Sequence, residues 1–153
     1  MTKQLFLIGG TMGVGKTANC QVLKRKLNNS VFLDGDWCWD MHPFQVTEET
    51  KEMVLQNICF ILNNFIKCSV IENVVFCWVM HQQEIIDEIL SRLDTQGCKV
   101  HLISLKIGSS CKGQSITKFY QSQNHRLFLR NPYSRKVSLC IKSLLLLCRF
   151  QRT

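Results

Sequence analysis

Apolar and polar positions along this chain fall into blocks that alternate between two spacings. Residues 4–9, QLFLIG, are a short continuous apolar run ending in glycine, the pattern of a strand buried on both faces. Residues 16–28 switch to helical spacing, with Cys20, Leu23 and Leu27 on one face and Lys24, Arg25 and Lys26 near the end, where cations suit the dipole. Residues 30–34, SVFLD, predict a second strand, and a turn-rich aromatic stretch, GDWCWDMHPF, follows at 35–44. Thr47 is placed to cap a second helix, with Glu48 and Glu49 in its first turn. Val54, Ile58, Ile61, Leu62 and Phe65 keep helical spacing to about residue 67. Residues 73–79 predict a third strand, and 99–105 a fourth. Between them 82–94 is amphipathic through Ile85, Ile86, Ile89, Leu90 and Leu93, with Gly97 as its stop.

Strand and helix in strict alternation predict the α/β class, a parallel sheet covered by helices. Beyond residue 105 the periodicity fades. IGSSCKGQS reads as loop, NHRLFLRNPYSRK keeps no period, and Val137, Ile141, Leu144, Leu145 and Cys148 line one face of a candidate closing helix.

Charge sharpens that break. Residues 1–104 hold all 11 acids and 9 lysines and arginines, a balance of −2, whereas 105–153 hold 10 lysines and arginines and no acid, a balance of +10. An ordinary domain mixes both signs along its length. The division expected is therefore a core at 1–105 and a basic, acid-free segment at 106–153.

Length and composition are those of one soluble domain, large enough to bury a core. The longest apolar run, Val137–Phe150, is broken by Lys142 and Arg149 and falls short of the about 18 residues a membrane span needs. Leu5–Ile8 is too short for a signal-peptide core, so the expected location is the cytoplasm and no membrane partner is expected. Nine cysteines form no C-x-x-C pair, and Cys59, Cys68 and Cys77 stand among apolar residues, which predicts reduced thiols packed as small hydrophobes.

The candidate chemistry begins at Gly10. Gly10-Thr11-Met12-Gly13-Val14-Gly15-Lys16-Thr17 fits G-x-x-x-x-G-K-[ST] in full, between an apolar strand and an amphipathic helix. Glycines let successive N–H groups converge on phosphate oxygens, and the following helix adds the positive end of its dipole. In that pattern Lys16 reaches the β- and γ-phosphates and the Thr17 hydroxyl can ligate Mg²⁺. Nucleotide binding follows. A guanine-reading N/T-K-x-D is absent, the third strand ends in CWVMH without a terminal aspartate, and the chain is too short for the large ATPases. A small kinase using ATP and Mg²⁺ remains.

Such a kinase would hold its acceptor at FLDGDWCWDMHPF, beyond the second strand. Asp34 and Asp36 point to one side if the chain stays extended. One carboxylate could hold Mg²⁺ through water and the other could take the proton of the attacking hydroxyl. The competing reading is a solvated Asp-Gly-Asp turn. Trp37, Trp39, Met41, His42 and Phe44 could form an acceptor pocket or pack the loop against the next helix. His81 and His101 receive no role.

These residues carry a family resemblance. Residues 1–105 resemble the small P-loop kinases of the shikimate, gluconate and nucleoside-monophosphate kinase group, often labelled AAA-type ATPases or nucleotide kinases. The likeness rests on GGTMGVGKT and on LDGD after the second strand. It implies a three-layer P-loop NTPase sandwich with a five-stranded parallel sheet in the order 2-3-1-4-5. It also implies transfer of the γ-phosphoryl of Mg·ATP to a small acceptor's hydroxyl or phosphate. Residue by residue, Lys16 and Thr17 take the phosphate and metal roles, Asp34 the metal-side carboxylate and Asp36 the acceptor-side one. Trp37 and Trp39 are candidate acceptor contacts. The lid expected after the fourth strand is not recognisable, and Arg126, Arg130 and Arg135 match no lid motif.

Two readings of the tail stay open: a native basic arm for phosphate-rich partners, or out-of-frame sequence after a frameshift near residue 105. Re-reading the coding DNA around codons 100–110 separates them. The alternatives to a kinase are an NTP-binding module that docks nucleic acid through that tail, and an inactive truncated relative. Acceptor identity and oligomeric state are not legible.

Overall fold

A computed structural model of the chain describes residues 2–80, 82–107, 114–121 and 126–132. Strand β1 (Lys3–Gly10) leads into helix α1 (Lys16–Lys26), strand β2 (Ser30–Asp34) and a 3-10 turn at Gly35–Trp39. Helix α2 (Glu48–Lys67), strand β3 (Asn73–Cys77), helix α3 (Gln83–Ser91) and strand β4 (Cys98–Ile107) follow, then strands β5 (Gln114–Gln121) and β6 (Arg126–Pro132).

The sheet runs β2-β3-β1-β4-β5-β6, and its first four strands are parallel. The central strands read as unbroken apolar runs because both faces are covered. On β1, Phe6 and Ile8 join Cys20, Leu23, Phe32, Val75 and Cys77 under α1. Leu5 and Leu7 face the other way, among Val54, Ile58, Leu62 and Ile66 of α2 and Ile89 of α3. Each such buried side chain contributes about 1.5–3 kcal/mol relative to an exposed one. The result is the expected three-layer α/β architecture.

Local signals place most boundaries. Thr47 caps α2 through a reciprocal pair: its hydroxyl accepts from the Thr50 N–H at 3.1 Å, and Thr50 Oγ1 accepts from the Thr47 N–H at 2.8 Å. Helix α3 is shorter than its apolar spacing predicts. It stops at Ser91, and Gly97, at φ 73°, turns the chain into β4 instead of capping the helix. Arg92, just past α3, is clamped by Glu52 of α2 at 2.7 and 2.9 Å, and Asn63 Nδ2 donates to its carbonyl. That lateral tie to α2 competes with another helical turn.

The tail departs from the expectation of a single parallel fifth strand. Strand β5 does lie beside β4, but antiparallel to it, and β6 adds a second antiparallel strand. Only residues 108–113 separate β4 from β5. A parallel return needs a crossover of about a dozen residues or more, so a link this short permits an antiparallel neighbour alone. The candidate closing helix at Val137–Cys148 and the residue His81 lie outside the described residues. Among the described residues no helix is long and apolar enough to cross a membrane.

Candidate functional site

The site lies at the carboxyl ends of β1, β2 and β3, which the parallel pairing brings level: Ile8 and Asp34 both register with Cys77. Strand β1 ends at Gly10, and Thr11–Gly15 form the loop into α1. Gly13 and Gly15 hold φ 75° and 88°, left-handed values that side chains rarely adopt, and Gly15 starts the helix from that conformation. Val14 closes a tight turn by donating its N–H to the Thr11 carbonyl at 3.3 Å, and Met12 projects into solvent.

Lys16 is buried although it carries an ammonium group, with 9% of its surface exposed. Its Nζ donates to the carbonyls of Gly10 and Thr11 at 3.0 and 3.1 Å, which ties the lysine across its own loop. The backbone N–H groups of Gly13, Gly15, Lys16 and Thr17 donate to no described protein group, and the first turn of α1 holds no acid. A cradle of free donors at a helix N-terminus, crossed by a lysine, fits a phosphate chain.

The metal side fits as well. Thr17 Oγ1 donates to Asp34 Oδ2 at 2.6 Å, so hydroxyl and carboxylate converge on one point. Asp34 is 4% exposed, which rules out the solvated-turn reading for this residue. A hydroxyl and a carboxylate oxygen are the hard donors that Mg²⁺ takes beside nucleotide phosphates. Cys77 sits next to Asp34, and its thiol is pushed far up, first by a hydrogen bond with Cys20, then by burial and the Asp34 charge. Among the described residues the cysteines are free; Cys59 and Cys77 are buried as expected, with Cys20, whereas Cys68, expected in the core, is only half-buried where it ends α2.

Asp36 reaches the site by a different route from the extended D-x-D expected. The chain turns immediately after Asp34 into the 3-10 segment, and Asp34 Oδ1 accepts the Asp36 N–H at 3.2 Å. The turn keeps both carboxylates close. Partial loss of solvent and the neighbouring Asp34 charge raise the Asp36 carboxyl above its ordinary value of 3.8, while Lys16 and the Trp78 indole pull it down.

The two tryptophans of the loop part company. Trp37 meets Phe32 edge-on at 5.4 Å and is 56% exposed, on the α1 side of the sheet. Trp39 packs on the α2 side, with ring centroids 5.6 Å from Phe44 and 6.3 Å from Trp78. The Trp39 indole donates to the Gln45 carbonyl at 3.2 Å. Met41 is half-buried and His42 exposed, and neither touches the carboxylates through a hydrogen bond.

Trp78 is the residue that sequence reasoning missed. It follows β3 directly and lies against Gly35, where an added Cβ would stand 2.6 Å from Trp78 Cδ1 and 2.8 Å from its Cβ. Its signal was its place at the carboxyl end of a strand, the edge where ligands bind in open α/β sheets. His101, by contrast, is a core residue of β4, stacked on Phe6 at 4.7 Å and paired with Gln4 at 2.6 Å. Burial holds it neutral, with its pKa lowered to about 4.

Sheet order, loop conformation and the Lys16–Thr17–Asp34 arrangement together define a P-loop protein of kinase-like fold. Residues 7–105 match the AAA domain family, and the chain belongs to that family. No curated protein matches the chain. Among solved structures, the APS kinase of Mycobacterium tuberculosis is similar at 12% identity and TM-score 0.63, covering 97% of this chain and 98% of that one. A hexameric APS kinase from Thiobacillus denitrificans is similar at 10% identity and TM-score 0.59, covering 98% of this chain and 30% of that one. APE1195 is similar at 19% identity and TM-score 0.52, and the two share 67% of this chain but only 60% of that protein's length. At such identities the likeness is one of fold.

Proposed function

We propose that this chain is a small-molecule kinase that moves the γ-phosphoryl of Mg·ATP to an acceptor hydroxyl. The observation that carries the reading is the convergence of a lysine-crossed phosphate loop, the Thr17–Asp34 pair at 2.6 Å and the nearby Asp36 carboxylate. The loop N–H groups and Lys16 orient the triphosphate and offset its charge. Thr17 and Asp34 would hold Mg²⁺, which when bound neutralises charge on the phosphate oxygens. Asp36 accepts the acceptor's hydroxyl proton as the new oxygen–phosphorus bond forms and the bond to the β-phosphate oxygen breaks, leaving ADP. Its raised affinity for protons suits that task. Positioning and charge compensation supply the remaining rate.

The same reading divides the chain into a core at 1–105 and a basic segment at 106–153. The family match ends at residue 105, and the strands beyond it reverse direction. Both support that boundary. The cytoplasm is the expected site of action.

The test is a thermal melt with and without Mg·ATP, followed by acceptor-dependent ADP release. A ligand that binds only the folded state raises the midpoint as its concentration climbs over Kd. The reading expects that rise in the wild type, its loss in Lys16→Ala, and turnover abolished in Asp36→Asn with the rise retained. A melt indifferent to nucleotide overturns it. A nucleotide-induced rise without turnover of any acceptor leaves a binding module instead.

A further inference from the structure

The acceptor side of the site has a charge and a surface unlike those of the phosphate loop. Residues 27–50, from the end of α1 into α2, contain Asp34, Asp36, Asp40, Glu48 and Glu49 but no lysine or arginine. Residues 78–91, after β3, contain none either, so His42 and His81 are the basic side chains of these two stretches. Lys24, Arg25 and Lys26 stand in the last turn of α1, at the far end of that helix from the phosphate loop, and three other cations are already engaged. Lys16 holds two loop carbonyls, Lys51 pairs with Glu48 at 2.7 Å, and Arg92 is shared between Glu52 and Glu88.

What these stretches offer instead is ring surface. Trp78, Trp39 and Phe44 form a row, with centroids 6.3 and 5.6 Å apart and interplanar angles of 46° and 41°. Trp39 and Trp78 are only half-buried, and Phe44 is 64% exposed. The row runs beside Asp36, because Trp78 lies against Gly35, the residue before it. A phosphate or carboxylate brought here meets carboxylates, and Lys16, the described cation that acts on Asp36, is already held by two loop carbonyls on the nucleotide side; like charges at a contact are strongly disfavoured. A flat apolar face stacks on such rings, and an ammonium group is attracted to them and to the carboxylates alike.

We propose that the acceptor is a hydroxyl compound without negative charge, neutral or cationic, that lays a flat or apolar face on the Trp39–Trp78 row while its hydroxyl meets Asp36. This rests on the kinase reading above and narrows it, excluding phosphorylated and carboxylated acceptors. Trp39 and Trp78 are then determinants of acceptor specificity.

The experiment measures ADP release by the full chain with Mg·ATP and matched acceptors: thymidine against thymidine monophosphate, glucitol against gluconate, glucosamine against glucose 6-phosphate. The uncharged or amino member of at least one pair is expected to exceed its anionic partner in kcat/KM by about tenfold or more. Trp39→Leu and Trp78→Leu should raise KM for that acceptor several-fold with kcat less affected, and Trp78→Phe, which keeps a ring, should stay near wild type. The Mg·ATP-induced rise in melting midpoint reports that each variant is folded. A preference for the anionic member, or a KM indifferent to both leucine substitutions, overturns the inference and leaves the kinase reading standing. No ADP release from any compound, with the rise intact, overturns both.

Discussion

The two loops that build the site hold their shapes in different ways. The β1–α1 loop is closed by its own residues: Val14 bonds to Thr11, Lys16 to Gly10 and Thr11, and Gly15 supplies the left-handed turn. The β2–α2 loop starts on a local cap, Asp34 to the Asp36 N–H, but then leans on distant partners. Trp78 arrives from the end of β3 to lie on Gly35 and Trp39, and Thr17 arrives from α1 to hold Asp34. A motif that bonds within itself can be read from neighbouring letters. A loop shaped by residues 17 to 43 positions away cannot.

The largest effect should come from the self-contained loop. Lys16→Ala is expected to remove the melting rise with Mg·ATP and to cut ADP release by about a thousandfold, since one charge-stabilising donor is worth about 10²–10³ in rate. Retained nucleotide stabilisation in that variant would mean the loop binds phosphate through backbone alone. Next comes the acceptor loop. Asp36→Asn should lower turnover by about a hundredfold or more while leaving the nucleotide-induced rise intact. If both readouts fell together, the two loops would not be separable in the way their hydrogen bonds imply.

A smaller effect tests the tertiary support. Gly35→Ala forces a Cβ into Trp78 and should cost about 1–3 kcal/mol of stability, read from denaturant melts. Trp78→Ala in the same chain should return part of that loss, because residues in contact are not additive. Strict additivity would show that the two do not press on each other.

The smallest effects are in pH. Asp36 takes up a proton above its ordinary 3.8, so turnover should fall on acidification at a pH higher than a free carboxylate would give. Stability follows another group. His101 is held neutral down to about 4, whereas in the unfolded chain it protonates near 6.5. The unfolded state therefore binds more protons between those values. The contribution is complete above about 6.5 and declines as pH falls towards 4. His101→Gln should flatten that decline in melting midpoint without moving the turnover limb.

Much of the fold was legible because its signals are local. Buried apolar runs marked β1 to β4, and Thr47 marked the start of α2 with a cap that the structure bears out. The misses also have physical causes. Helix α3 ends early where Asn63 of α2 takes the Arg92 carbonyl and the Asp94 N–H, backbone groups that a further turn would use. Strands β5 and β6 carry no clear alternation, and their direction follows from a connection too short for a parallel crossover. In the site, Lys16, Thr17, Asp34 and Asp36 were legible by motif and spacing. Trp37 and Trp39 looked equivalent two residues apart, yet the 3-10 turn sends one to each face of the sheet.

By itself the sequence determined the alternation of strands and helices, the phosphate loop and the carboxylate pair, since each depends on residues close enough to bond or share a face within one element. The tertiary structure alone decided that Asp34 is buried against Thr17, that Trp78 lies on Gly35 and beside Trp39, and that Trp37 packs with Phe32 on the other face of the sheet. Those outcomes depend on the parallel register of β2, β3 and β1, which sets three strand ends side by side. No stretch of contiguous residues encodes that alignment.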